Sequence, residues 1–123
     1  MMVSVDKYLS KKHHMRDYNC WDFIREVWLD LKGEDIGHRT PPSGSRKDMI
    51  EKFAQEEREF VRLEKAEDPC IVLFLRDKML PHVGIYVRGK VLHLPEKSYG
   101  RYEQLALVGL VFKEIRFYRC KTS

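Results

Sequence analysis

The β-hairpin pattern around Arg88-Gly89 constrains this chain more than any other feature of its sequence. Two runs of alternating character, residues 82–87 and 90–94, flank this pair. A glycine-containing pair between two such runs predicts an antiparallel hairpin with a two-residue turn. In that register His82 lies diagonal to His93 on one face, with the two backbones roughly 7–8 Å apart. The opposite face is apolar and is expected to face the core.

A helix is predicted to begin at Cys20, because apolar residues recur from it at helical spacing. Asn19 is a favoured N-cap, and Gly33 is a favoured stop. The thiol of Cys20 therefore lies in the first turn, where the helix dipole and unpaired N–H groups stabilise a thiolate and lower its pKa. The apolar face that carries Cys20 points at the body of the protein; its other members are Phe23, Ile24, Val27, Trp28 and Leu31.

The order of the patterns along the chain predicts an α+β fold, with N-terminal helices packed on a small antiparallel sheet. The length of 123 residues fits a single domain over residues 1–123. Phe60–Leu63 either continues a helix or forms a short strand. The other predicted elements are a helical turn at 2–10, a surface loop at 33–45, a second helix at 46–57, a buried strand at 71–75 and a last strand at 110–118.

Composition excludes several classes of protein. The chain is 43% hydrophobic and 34% charged, which is typical of a globular domain. Its apolar runs are far shorter than the ~20 residues of a membrane span, so no membrane insertion is expected. A net charge of +4 is too small to predict a nucleic-acid partner. The basic run Lys11–Arg16 is predicted to be a solvated flank, with an anionic ligand near Cys20 as the alternative.

Cys20, His82 and His93 together meet the requirement of thiol-dependent hydrolysis. A base takes the thiol proton, and a third polar group holds the base in its productive tautomer. Gly84 is expected to leave an open space beside His93. A buried structural cysteine and two surface histidines are the alternatives that the residues alone leave open. The remaining histidines have no recognisable metal-ligand spacing.

The other two cysteines are expected to play no part in catalysis. The three cysteines are an odd count and are widely spaced, which argues against a disulfide framework. Cys70 stands at the mouth of a buried strand and is expected to be structural. Cys120 lies near the end of the chain and is expected to be exposed.

Four segments resemble the NlpC/P60 family of cysteine peptidases in their order and spacing. Tyr18–Phe23 (YNCWDF) is similar to the helix start that carries the family's nucleophile, and Ile71–Phe74 is similar to its apolar strand. His82–Val87 (HVGIYV) and Val91–Leu94 (VLHL) are similar to the two strands that carry its histidines. The small size and the ending Arg116–Arg119 resemble the tail-associated members encoded by phages and prophages.

The resemblance implies a papain-like fold and hydrolysis of peptidoglycan stem peptides between D-glutamate and diaminopimelate. It implies that Cys20 is the nucleophile, His82 the general base and His93 the orienting residue. It also implies that the hydroxyl of Tyr18 lies near the oxyanion site. No metal or cofactor is expected. The implied partners are peptidoglycan peptides and other phage tail proteins.

Departures from the family pattern leave the substrate open. Asn19 precedes the cysteine where many members have aspartate, and Trp21-Asp22 replaces Ser-Gly after it. The alternatives are a structural tail-assembly protein with the same fold and little activity, and a thiol amidase or acyltransferase acting on another substrate. Because no secretory signal is visible, we expect synthesis in the cytoplasm, followed by incorporation in a phage tail or delivery to the cell wall.

Overall fold

The computed structural model describes residues 4–14, 18–37, 55, 58–76 and 81–121. In chain order the elements are helices α1 (Asp6–Leu9) and α2 (Cys20–Lys32), strands β1 (Phe60–Leu63), β2 (Cys70–Leu75), β3 (His82–Val87), β4 (Lys90–His93) and β5 (Arg101–Glu103), helix α3 (Leu105–Gly109) and strand β6 (Glu114–Cys120). No helix in these ranges is long and apolar enough to cross a membrane.

The strands form one antiparallel sheet in the order β1-β6-β2-β3-β4-β5. Strand β2 pairs with β3 on one side and with β6 on the other, so its apolar run is buried on both faces, as predicted. An antiparallel sheet that follows N-terminal helices is the mixed α and β architecture that the order of the sequence patterns predicts.

The β3–β4 hairpin has the predicted register. Gly84 lies opposite His93, and Val87 lies opposite Lys90. The turn residues Arg88 and Gly89 both have positive φ, 51° and 86°. Two positive φ values belong to a type I′ turn, whose twist matches that of the two strands. The two-residue turn and the alternation of side chains along the strands therefore place His82 and His93 on the same face.

Helix α2 begins and ends where its capping residues predict. The Asn19 side chain accepts the backbone N–H of Trp21 and Asp22, and Asp22 accepts the N–H of Asn19 in return. Gly33 ends the helix in the left-handed conformation, at φ 71°. The buried face of α2 packs on β3, and full burial of each of its large apolar side chains contributes about 1.5–3 kcal/mol. The members of that face are Phe23, Ile24, Val27 and Trp28.

The second face of the sheet is covered as well. Residues from β2 and β4 pack there with Val108 of α3, and Phe112 and Ile115 extend this second apolar cluster. The sequence left open whether the histidine face of the hairpin is a solvent-facing surface. It is not, because the chain between β5 and β6 folds back over it.

Two expectations for the C-terminal half need correction. The last strand begins at Glu114 rather than at residue 110, since the apolar run before it forms α3 and a turn. Cys120 is buried rather than exposed, because β6 is an interior strand with β1 and β2 on its two sides. Of the two alternatives left open for Phe60–Leu63, the structure shows the strand, which pairs with β6. The helix predicted at 46–57 lies outside the described residues except for residue 55, as does the loop predicted at 33–45 beyond residue 37.

Candidate active site

The Cys20 sulfur lies at the N-terminus of α2, against the start of β3. Backbone N–H groups of Val83, Trp21 and Cys20 itself lie near the sulfur and favour its thiolate form. Val83 directly follows His82 in β3, at a point before that strand begins to pair with β4. The thiol is therefore held at the end of β3 that carries His82.

Burial raises the pKa of the Cys20 thiol to about 11. The three backbone N–H groups act in the opposite direction, as expected at a helix N-terminus, and the charge of Asp22 raises the pKa further. The expectation that the helix terminus lowers the thiol pKa is thus wrong in net effect, because desolvation of the thiolate outweighs the favourable N–H groups. In the resting protein the thiol keeps its proton at neutral pH.

The two histidines of the hairpin form a direct hydrogen bond. Nε2 of His82 lies 2.9 Å from Nδ1 of His93. The ring of His82 is parallel to that of Phe112, with centroids 6.0 Å apart, and it also packs on Phe74. His93 is only 4% exposed. The alternative of two surface histidines does not hold for His93, which is buried, whereas His82 is half-buried and is covered in part by Phe74, Phe112 and the partner imidazole.

The same enclosure keeps both imidazoles neutral. Burial, followed by the charges of His93 and His13, holds the pKa of His82 well below its ordinary value. Burial also lowers the pKa of His93, although its hydrogen bond to Glu103 acts against this. A neutral imidazole has one bare ring nitrogen, so His82 is in the form that can accept a proton.

Gly84 does not leave an open space beside His93. A Cβ at Gly84 would lie 2.8 Å from Cγ1 of Val91 and 3.0 Å from Cβ of His93. The space is already filled by these two side chains. Glycine is needed there because the neighbouring strand approaches its backbone closely.

Glu103 completes the polar group and was not identified from the sequence. Its Oε1 lies 2.9 Å from Nε2 of His93. Glu103 stands on β5, which is only three residues long. A strand of three residues is too short for alternating apolar and polar side chains to predict its register. The only signal in the sequence is a carboxylate ten positions after His93.

His13, from the basic run, is close enough to His82 to lower its pKa. The backbone N–H of His13 donates to the carbonyl of Ser98, in the segment before β5, at 2.8 Å. Lys11 forms an ion pair of 3.5 Å with Glu26, and the assignment of the run as a solvated flank stays a prediction. Residues 15–17 lie outside the described residues.

The hydroxyl of Tyr18 contacts a side chain of α2. Its hydroxyl donates to Oε2 of Glu26 at 3.1 Å, and burial with the nearby Glu26 raises its pKa. The ring packs edge-on against Phe23. The role of Tyr18 near an oxyanion stays a prediction, and in this arrangement its proton is engaged by Glu26.

Two further observations bear on the chemistry of the site. Among the described residues, no group of three or more His, Cys, Asp or Glu side chains is positioned to hold a metal ion. Cys70 is buried in the second apolar cluster, which agrees with its expected structural role.

Comparison of the chain with protein-family models, with curated proteins and with solved structures finds no match. The resemblance of four segments to a peptidase family thus stays a sequence-based expectation. The case for function depends on the geometry around Cys20, His82, His93 and Glu103.

Proposed function

We propose that this protein is a thiol-dependent hydrolase in which Cys20 attacks an amide carbonyl and His82 takes the thiol proton. One observation carries the proposal. Two imidazoles, the half-buried His82 and the buried His93, are joined by a hydrogen bond of 2.9 Å at the strand end where the backbone of Val83 favours the Cys20 thiolate. Nucleophile, base and orienting group are the parts that thiol catalysis requires.

Proton transfer and attack occur together in this mechanism. Because burial favours the neutral forms of both groups, the thiol stays protonated until substrate is in place. The proton then passes from Sγ to Nδ1 of His82 as the sulfur–carbon bond forms. The imidazolium returns it to the leaving amine as the carbon–nitrogen bond breaks. Water then hydrolyses the thioester, which releases the carboxylic acid and restores the thiol.

The N-terminus of α2 supports the charged intermediate. Cys20 is the first residue of α2, so its backbone N–H belongs to the unpaired helix terminus and is available to an oxyanion that forms beside the sulfur. The partial positive charge of the helix terminus favours the same negative charge. This assigns to the backbone part of the role that the resemblance gives to Tyr18.

For the substrate we propose peptidoglycan stem peptides, cleaved between D-glutamate and diaminopimelate, within a papain-like NlpC/P60 fold. The support is the resemblance of the four segments, together with the fact that the two segments of the hairpin form the strands β3 and β4. A phage tail or the bacterial cell wall is the proposed place of action. No metal or cofactor enters the mechanism.

Incubation of the purified protein with defined muropeptides, followed by mass spectrometry, tests the function. Hydrolysis is expected to yield two fragments whose masses sum to substrate plus water, and Cys20→Ser is expected to yield none. A product bearing an added amine or alcohol acceptor would indicate an acyltransferase instead. Absence of any product from a broad muropeptide set would refute the peptidase proposal.

A second candidate, a structural role in tail assembly, is favoured by the surface of α3 and the turn after it. Leu107, Leu110 and Val111 are 54%, 78% and 61% exposed. Clustered exposed apolar residues are typical of protein–protein contacts. Activity of the isolated chain on muropeptides would separate catalysis from assembly alone.

A further inference from the structure

A continuous line of three polar side chains crosses three adjacent strands. His82 on β3 contacts His93 on β4, and His93 contacts Glu103 on β5, each at 2.9 Å. His93 is opposite Gly84 on one side and opposite Arg101 on the other. Both of its partners are therefore diagonal neighbours, two residues from the directly opposed position and on the same face. The registers of the β3–β4 and β4–β5 pairs thus bring the three side chains into contact.

The donors and acceptors along this line have one consistent assignment. A carboxylate only accepts hydrogen bonds, so Nε2 of His93 carries a proton and donates it to Glu103. A neutral His93 then has a bare Nδ1, which accepts the Nε2–H of His82. A neutral His82 in turn has a bare Nδ1, which is the nitrogen that serves as the base in the proposed mechanism.

We propose that Glu103 is a positioning residue that holds both histidines in the tautomer with the proton on Nε2. The inference rests on the proposed function only for the use of Nδ1 of His82 as the base. His93 is almost fully buried, so water is a poor substitute for Glu103 as its acceptor. Without that acceptor, the proton of His93 can move to Nδ1. Nδ1 of His93 then no longer accepts the Nε2–H of His82, so His82 is no longer held with its proton on Nε2.

Other charged side chains act on the pair from neighbouring elements. Arg101, also on β5, opposes the protonation of His93, and His13 opposes the protonation of His82. Among the described residues Glu103 is the carboxylate in hydrogen-bond contact with either ring. Glu103 therefore selects the tautomer of His93 by accepting its Nε2–H, whereas Arg101 and His13 act on the pair electrostatically.

NMR spectra of the ring nitrogens in the resting protein test the inference directly. With labelled histidine, and with assignments from His82→Gln and His93→Gln, both rings are expected to carry their proton on Nε2 at neutral pH. In Glu103→Ala the His93 signals are expected to move towards a mixture of tautomers. Loss of a group that orients a functional histidine should lower kcat by about 10–10²-fold, with little change in KM.

Glu103→Gln and Glu64→Gln complete the experiment. The amide oxygen of Glu103→Gln can still accept, so its kcat is expected between those of the wild type and Glu103→Ala. Glu64 follows β1 at the opposite edge of the sheet, so Glu64→Gln makes the same charge change and is expected to leave tautomers and kcat unchanged.

Two results would overturn the inference: a proton on Nδ1 of His93 in the wild type, or unchanged tautomers and kcat in Glu103→Ala. If Glu103→Ala does not fold, a Glu103→Gln variant with wild-type spectra and a wild-type pH–rate profile would overturn it equally. If replacement of Glu103 changes the tautomers but the wild type has no activity on muropeptides, the inference is supported and the proposed function is refuted. The two failures are therefore distinguishable.

Discussion

Cys20 and Cys70 have similarly raised thiol pKa values but very different surroundings. Burial raises the pKa of each thiol to about 11. Backbone groups of a helix terminus and of Val83 lower the pKa of Cys20. Cys70 lies in the second apolar cluster, where one backbone group of Glu67 lowers the pKa and the carboxylates of Glu67 and Asp68 raise it. A thiol pKa by itself thus does not distinguish a candidate nucleophile from a structural cysteine; the groups that could accept its proton do.

The two sites also differ in access. Cys20 is partly exposed, whereas Cys70 is fully enclosed between two neighbouring strands, β3 and β6. As a residue Cys20 is therefore closer to solvent than Cys70, although its sulfur is desolvated. Any experiment in which the two thiols behave alike would contradict this distinction between Cys20 and Cys70.

The largest expected effect is the loss of activity on removal of the nucleophile. Cys20→Ala and Cys20→Ser should lower kcat/KM for a muropeptide by at least about 10³-fold, because no other group can form the covalent intermediate. Cys70→Ala is the matched control and should keep near-wild-type kcat/KM with a lower melting temperature, since it leaves a small cavity. Equal loss in the two variants would contradict the distinction between the thiols.

The next largest effect concerns the two histidines. His82→Ala should lower kcat/KM by about 10²–10⁴-fold, as expected for loss of a general base, and His82→Gln should not restore it. His93→Gln should retain more activity than His93→Ala, because an amide oxygen can still accept the ring N–H of His82. Thermal melts control for folding. Full activity in His82→Ala would remove the mechanism.

Alkylation with iodoacetamide sharpens the comparison without any substrate. Because only the thiolate reacts and the Cys20 pKa lies near 11, its labelling rate should rise about tenfold per pH unit above neutral, with no plateau near pH 7. Cys20 should nevertheless label before Cys70 and Cys120, which are buried. Labelling in denaturant, where the three thiols are equally accessible, is the control. A plateau below pH 8 would instead indicate a thiolate–imidazolium pair at rest.

The smallest expected effect is on stability in mild acid. The pKa values of His13, His82 and His93 are all lowered from 6.5 in the folded protein, mainly by burial. Below pH 6.5 the unfolded chain therefore binds more protons at these sites than the folded one, so the free energy of unfolding falls with falling pH. Each such histidine contributes at most about 1.4 kcal/mol per pH unit.

Denaturant unfolding between about pH 6.5 and 5 measures this slope above the range in which carboxylates titrate. His82→Gln should make the slope shallower than in the wild type, because it removes a group whose pKa is lowered by folding. A slope that is the same in wild type and His82→Gln would contradict the buried, neutral state of His82.

Much of the site was predictable because it depends on local rules. The register of the hairpin follows from side-chain alternation and a two-residue turn, and it places His82 and His93 on one face. The start of α2 at Cys20 follows from the Asn19 cap. The extent of β6 was not predictable in this way, because the apolar run before it suits a strand and a short helix equally.

The sequence by itself determined the elements and the pairings that depend on neighbours in the chain: the capped helix that begins with Cys20 and the hairpin that pairs its two histidines. Only the tertiary structure decided that Glu103 reaches His93, that Phe112 covers His82, and that burial outweighs the helix terminus at the Cys20 sulfur. The physical reason is that desolvation and diagonal contacts between strands depend on which distant segments pack together, and residue patterns over a few positions carry no information about that.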